Sequence, residues 1–247
     1  MLRLLRNIFC FWLLLMFLFT GALVFPFFWL SFKLLKGQRE AWTTLYITKF
    51  WGFLLGLLSG HWIRIRGKEK IDPNERYVMV SNHLSMMDIP VCAAAAPMPF
   101  SYLAKWGVRK IPVVGFVSHY RDVFVDRRSP ESRKESMLKL QKYLEEQRSI
   151  HLFIEGTRNI SDEPLQAFHN GAFNLAVDSQ QPIAVLTIIN TDKILSSKKK
   201  FQAGPGLCWG VWSDPILTKG KTRADIPALK EEVRQKMLAT LKEFGRA

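Results

Sequence analysis

His83 and Asp88 stand five positions apart in the segment Asn82-His83-Leu84-Ser85-Met86-Met87-Asp88, directly after the apolar run Tyr77-Val78-Met79-Val80. A histidine at a strand end, with a carboxylate to fix its tautomer, is the minimum equipment for taking a proton from a hydroxyl. Five helical residues turn a chain by about 500°, so a single helix would point the two side chains apart. They meet only if His83 precedes a helix and Asp88 stands at its start. Pro90, tolerated in a first helical turn, puts the boundary there and makes Asp88 the expected N-cap. Asp88 would then accept from one imidazole nitrogen while the other faces a substrate. The competing reading leaves Asp88 as a helix cap alone and His83 as a loop residue bonded to backbone.

Two more apolar runs end in charge: Phe124-Val125-Asp126-Arg127 and Phe153-Ile154-Glu155-Gly156-Thr157-Arg158. Arg127 and Arg158 can offer forked hydrogen bonds to a phosphate, and Lys105 adds a third cation. The alternatives are surface ion pairs for the arginines and a solvated side chain for Lys105. Glu155 precedes a glycine that permits a sharp turn, and it could instead pair with Arg158 for purely structural ends. Cys10, Cys92 and Cys208 are the only cysteines, too scattered for a disulfide framework or a zinc spacing, and no metal is expected. Cys92 lies in an apolar run, the setting of a buried inert thiol.

Taken in order, these blocks resemble the glycerolipid acyltransferase family, most closely its 1-acylglycerol-3-phosphate acyltransferase branch. Asn82-His83-x4-Asp88 matches a first motif. Lys105, Ile111-Pro112-Val113-Val114-Gly115 and Phe124-Val125-Asp126-Arg127 match a second, and Phe153 to Arg158 a third. A fourth, Pro182-Ile183-Ala184-Val185-Leu186, carries Val185 where a second proline is common. Ile154 stands where the family usually has proline, and Asn170, in Phe168-His169-Asn170-Gly171, replaces a lysine. The resemblance covers most of residues 61–215 and implies transfer of a fatty acyl group from a thioester to the sn-2 hydroxyl of 1-acylglycerol 3-phosphate, making phosphatidate. His83 would be the general base and Asp88 its orienting partner. Arg127, Arg158 and Lys105 would hold the phosphate, with backbone donors from Gly156 and Thr157 and with Glu155 arranging the acceptor site. The donor would be acyl-CoA or acyl-carrier protein, with no further cofactor. No serine or cysteine stands in a nucleophile-elbow setting, so no acyl-enzyme is expected. Other acceptors (glycerol 3-phosphate, lysophospholipids with larger head groups), hydrolysis, and a non-catalytic membrane-binding role remain the competing functions.

The elements that must position these residues follow from patterning. Residues 7–32 contain no Asp, Glu, Lys or Arg, with Arg3 and Arg6 before them and Lys33, Lys36 and Arg39 after. As a helix this stretch approaches 40 Å, more than the roughly 30 Å of a bilayer's hydrocarbon core, and Pro26 is expected to kink or divide it. It is too long for a secretory signal, and no Ala-x-Ala-like site follows. Residues 50–60, with Trp51, suit a helix at the headgroup level. The net charge is +14, with no recognised nucleic-acid motif; clusters such as Arg64/Arg66/Lys68 and Lys198-Lys199-Lys200 suit an anionic membrane surface. The expected site is a membrane, with the active site on its cytoplasmic face.

We therefore divide the chain into residues 1–60, a membrane-anchoring region, and residues 61–247, one catalytic α/β domain with a mixed sheet flanked by helices. Strands are expected at 61–67, 77–81, 122–126, 149–154 and 182–189. Helices are expected from 88 to before Pro97, from Ser129-Pro130-Glu131 onward, across Leu165, Phe168, Ala172 and Leu175, and along Ile226, Leu229, Val233, Met237 and Leu241. The apolar face of that last helix is expected to pack on the domain.

Overall fold

The period-two run that begins at His61 is the first strand of a seven-stranded sheet in this computed structural model, which describes residues 2–199 and 201–247. Lys200, the last lysine of the basic run, lies outside the described residues. The strands are β1 (His61–Arg66), β2 (Val78–Ser81), β3 (Phe100–Lys105), β4 (Val123–Val125), β5 (Ser149–Phe153), β6 (Ile183–Ile189) and β7 (Gly206–Trp212), in the spatial order β1-β7-β6-β2-β5-β3-β4. All neighbours pair in parallel except β6 with β7. The five strands from β6 to β4 consequently put their carboxyl ends on one edge, and β2 delivers His83 to that edge.

Both faces of the sheet are covered, so its central strands are apolar throughout rather than alternating. β6 is buried at every position. Val78 and Val80 of β2 face α5 (Pro130–Glu145), α6 (Gly171–Ser179) and α8 (Ile226–Glu243), which contribute Leu140, Leu144, Phe173 and Val233. Met79, between them, points the other way, onto Val91 and Cys92 of α3 (Asp88–Ala95). Ile226, Leu229, Val233, Met237 and Leu241 are all buried, so the apolar face of α8 meets the domain as expected. The short helix α4 (Val114–Arg121) lies within the second motif, before Phe124–Arg127, and α7 (Thr191–Ile194) follows β6.

α1 (Leu2–Leu34) and α2 (Gly37–Ser59) form an antiparallel pair. Pro26 does not break α1: the position faces outward, and the helix runs on through it. Between the helices, Phe28 packs edge to face on Trp51 and Phe17 packs on it at a 31° tilt, and Trp51 Nε1 donates to Thr20 Oγ1 at 2.9 Å. Residues 50–60 are the second half of the 23-residue α2, which the sequence shows only in part because residues 37–49 mix charge with apolar side chains. One described helix, Arg3–Leu34, is long and apolar enough to cross a membrane. Its outward side chains, Phe11, Leu15, Phe19 and Phe27 among them, are more than half exposed.

One expected helix starts later than its apolar spacing suggests. The helix begins at Gly171, not near Leu165: the Gln166 amide donates to Glu155 and the His169 amide to the Ile154 carbonyl, which holds residues 165–169 as a connection with Leu165 and Phe168 turned into the core. Strands β3 and β7 and helix α4 carry no clear period in the sequence.

The sheet buries two histidines the site does not use. His61 and His151 are each 1% exposed, with both ring nitrogens of His61 and Nδ1 of His151 lacking partners. Burial pushes His61 down to about 4 and His151 down to about 3, the latter helped by the nearby His83. A base whose folded value is depressed stabilises the fold above its ordinary value near 6.5 and loses that contribution as pH falls toward the folded value. Acidification from pH 6.5 to 4 is therefore expected to cost on the order of 2–4 kcal/mol, and a His61→Leu/His151→Leu variant should show a flatter decline of Tm over that window.

Candidate active site

β2 ends at Ser81, and the next residue continues the pairing with its side chain. Asn82 Nδ2 donates to the Ile188 carbonyl at 2.9 Å, and the Ile188 amide donates to Asn82 Oδ1 at 2.7 Å. Asn82 is fully buried, so this clamp fixes where the chain leaves the sheet. The backbone then folds back through residues 84–87 and enters α3 at Asp88, with Met87 at the N-cap position.

Asp88 is thus the first helical residue rather than the cap, and its carboxylate reaches back instead of forward. Oδ2 accepts from His83 Nδ1 at 2.7 Å, from the Leu84 amide at 2.6 Å and from the Ser85 amide at 2.9 Å. Oδ1 accepts from the Thr191 hydroxyl. The turn at 84–87 presents these upstream amides to the carboxylate, whereas a cap at Asp88 would look to the first helical turn, where Pro90 has no amide to give; the cap expectation fails for that reason. Asp88 is fully buried, and the His83 side chain keeps 15% of its exposure.

The imidazole is held on three sides. Its ring stacks on Phe153 at 4.0 Å between centroids with a 20° tilt, and its backbone amide donates to Glu155 Oε1 at 2.9 Å. The Asn159 amide donates to its carbonyl at 2.7 Å. Glu155 is 2% exposed, and its second oxygen accepts from the Gln166 amide at 2.9 Å. Burial raises its carboxyl above the ordinary range, against the two amides, which lower it. Glu155 therefore braces the loop that carries His83 from behind and makes no pair with Arg158.

His83, Lys105, Arg127, Thr157 and Arg158 all line one cavity of about 880 Å³. Lys105, Arg127 and Arg158 are exposed at its mouth, and among the described residues none of them makes an ion pair. Glu155 and Gly156 do not line it. Gly156 holds φ +70°, and a Cβ there would stand 2.6 Å from the His169 ring, so glycine is what lets Thr157 and Arg158 turn toward the mouth. Gly115 is equally constrained, since a Cβ would sit 2.3 Å from the Arg109 carbonyl at the tight entry to α4. Away from the mouth the walls are largely apolar, with Leu45, Ile89, Ala93, Leu103 and Val117.

Ser85 is fully buried and donates to the Leu195 carbonyl at 2.7 Å. Burial pushes the Cys92 thiol far up and the Cys208 thiol up to about 12. Among the described residues there is no group of His, Cys, Asp and Glu side chains that could hold a metal ion.

Thr191, Phe153 and Asn82 do structural work at this site that the sequence reading did not assign. Thr191 lies 103 positions from Asp88, with no local signal to join them. Phe153 and Asn82 sit inside matched motifs, where their neighbours drew the attention.

A buried histidine–carboxylate pair at the carboxyl edge of a mixed sheet, opening into an apolar cavity with a cationic mouth, suits proton transfer beside an anionic amphiphile. The Acyltransferase family model matches residues 62–189, and the chain belongs to that family. It is 31% identical over 190 residues to the mouse 1-acyl-sn-glycerol-3-phosphate acyltransferase alpha, covering 76% of this chain and 66% of that protein. To the 1-acyl-sn-glycerol-3-phosphate acyltransferase of Saccharomyces cerevisiae it is 30% identical over 207 residues, covering 78% and 64%. The chain thus spans just under two thirds of the length of these relatives. Its fold is that of the crystal structure of the 1-acyl-sn-glycerophosphate (LPA) acyltransferase PlsC from Thermotoga maritima, with a TM-score of 0.77 over 98% of this chain and 96% of that one at 22% identity.

Glutamine at position 155 keeps the shape but offers one acceptor where two amides need one each. Glu155→Gln is expected to lose about 1–3 kcal/mol of stability and to lower kcat at least tenfold with KM little changed, since a misplaced base acts on the chemical step. Thermal unfolding and steady-state kinetics on the same preparation check both.

Proposed function

We propose that this protein transfers a fatty acyl group from an acyl thioester to the sn-2 hydroxyl of 1-acylglycerol 3-phosphate, forming phosphatidate. The observation that carries this reading is the 2.7 Å His83–Asp88 contact with His83 and three unpaired cations on the wall of one largely apolar cavity. The printed activity of the mouse and yeast relatives supports it.

In this mechanism Asp88 keeps the proton on Nδ1, leaving Nε2 of His83 free to accept the proton of the lipid hydroxyl. The hydroxyl oxygen attacks the thioester carbonyl and a tetrahedral oxyanion forms. Its collapse breaks the carbon–sulfur bond, and the departing thiolate takes the proton from the imidazolium. Asp88, buried and acceptor to four donors, stabilises the imidazolium between those steps. Arg127 and Arg158 grip the phosphate with directional charge, Lys105 assists, and Thr157 supplies a further donor; Gly156, whose amide donates to the Phe153 carbonyl, shapes the turn instead. The apolar part of the cavity takes an acyl chain. Acyl-CoA or acyl-carrier protein is the donor, and no other cofactor takes part.

Both substrate and product are lipids. Residues 1–60 anchor the protein to the membrane, residues 61–247 carry the chemistry, and the site works at the cytoplasmic face. The apolar outer surface of α1 and the basic mouth support this arrangement.

Thiol release from acyl-CoA, with and without lysophosphatidate, tests the reading. Wild type is expected to release thiol only with the acceptor, and His83→Ala should be about 10²- to 10⁴-fold slower with the fold intact by circular dichroism. Arg158→Ala is expected to raise KM for lysophosphatidate by about tenfold or more. Thiol release independent of any acceptor would make the protein a hydrolase, and preference for lysolipids without a phosphate monoester would move the acceptor elsewhere.

A further inference from the structure

The His83 ring has a carboxylate at its edge and an aromatic face against its own. Asp88 Oδ2 accepts from Nδ1 at 2.7 Å, and the Phe153 ring lies nearly parallel, with centroids 4.0 Å apart and a 20° tilt. β2 pairs Ser81 in register with Phe153, so the chain leaving β2 carries His83 to that ring. Phe153 ends β5 and shares a face of the sheet with His151, two residues earlier. His151 meets it in a T-shaped contact at 5.1 Å, and Tyr102 of β3 lies parallel to it at 6.2 Å. The Tyr102 hydroxyl donates to the Ile89 carbonyl at 3.3 Å, which fixes that ring in turn. Turning Phe153 away from the imidazole would mean moving both neighbours.

In proton transfer the imidazole passes from neutral to cationic, and its surroundings do little for that charge. Asp88 divides one negative charge among four donors. Glu155 accepts from the His83 backbone amide rather than from the ring. Burial holds His151 down at about 3, so it is neutral near pH 7 and adds no charge. Lys105, Arg127 and Arg158 line the same cavity and oppose a further cation. The Phe153 face carries negative partial charge. A cation within about 6 Å of such a face is stabilised about 2-fold when exposed and about 30-fold when desolvated. The His83 side chain, 15% exposed, stands toward the dry end of that range. Packing alone would not call for an aromatic ring, since leucine fills much of the same space.

Resting on the acyl-transfer reading above, we propose that the π face of Phe153 stabilises the imidazolium that His83 becomes, so that the electrons of this ring help set the rate of proton transfer. Phe153 is a positioning residue in this account, acting on the reaction through His83. Its effect falls on kcat rather than KM, because the charge exists only once the proton moves. Shape and electrons are separable here: fluorine drains the ring face of negative charge while changing the ring's volume little.

The test places monofluoro-, trifluoro- and pentafluorophenylalanine at position 153 of the full chain, beside Phe153→Leu. With acyl-CoA and lysophosphatidate, kcat should fall stepwise with fluorination, to about 2- to 30-fold below wild type for the pentafluoro ring, with KM for both substrates little changed. Phe153→Leu should lose a similar factor. Pentafluorophenylalanine at position 173, where Phe173 is fully buried in the core on the other face of the sheet, controls for fluorine itself and should leave kcat unchanged. A second readout needs no acyl transfer. Diethyl pyrocarbonate is attacked by the imidazole nitrogen, positive charge builds on the ring, and mass spectrometry of the His83 peptide follows the rate. Labelling of His83 should slow in the same fluorine order, while the exposed His119 and His169 label at a constant rate. Folded fluorinated proteins with wild-type kcat and wild-type His83 labelling would overturn the proposal. A loss confined to Phe153→Leu would overturn it too, because shape would then account for the ring. Absence of thiol release with lysophosphatidate, alongside labelling that follows the fluorine order, would end the acyl-transfer reading and leave the role of the Phe153 face standing.

Discussion

The buried carboxylate of Asp88 is the constraint around which this site is organised. An ionised carboxyl with no exposure is tolerated only where donors replace the water it has lost, and here two backbone amides, the Thr191 hydroxyl and the His83 ring do so. Each donor belongs to a different demand. The amides define the turn after β2, Thr191 ties in the end of β6, and the imidazole receives a fixed tautomer. Hydrogen bonds to charged groups contribute about 1.5–3 kcal/mol each, so satisfying the carboxylate and orienting the His83 ring are the same event.

The surrounding fold serves that arrangement. Parallel strands bring the carboxyl ends of β2, β5, β3 and β4 side by side, which turns three motifs far apart in sequence into one cavity mouth. Asn82 fixes where the loop departs, Glu155 braces it from behind, and Phe153 lies flat under the ring. The cations at the rim are left unpaired by the protein itself, which keeps them available for an anionic ligand. Glu155, the nearest candidate partner for Arg158, is occupied by two amides instead.

On the opposite side, α1 and α2 present large apolar side chains outward while their facing sides seal part of the cavity through Phe28, Leu45 and Trp51. One helical pair therefore meets two environments: the aromatic seam with its Trp51–Thr20 hydrogen bond ties the two helices together, while Phe25 and Phe32 against Phe116 of α4, and Lys49 Nζ donating to the Ala96 carbonyl, hold the pair to the domain.

Much of this was legible in the chain alone. Apolar runs ending in charge marked β2, β4 and β5 and their functional ends; Ser129-Pro130 announced α5, and the stripe from Ile226 to Leu241 gave α8 and its buried face. Those signals are local, set by periodicity and by residues that cap or break helices. The family membership followed from motif order, which is equally a property of the linear chain. What tertiary structure decided was contact between distant residues: Thr191 on Asp88, Glu155 behind His83, and Arg121 against Glu40. Periodicity carries no information about such pairs, because a carboxylate chooses its donors by where the folded backbone puts them. The helix expected from Leu165 failed for that reason, its amides being claimed by Glu155 and the Ile154 carbonyl. β3 and β7 were likewise invisible until paired, since their place in the sheet comes from the neighbours they hydrogen-bond and not from a pattern of their own.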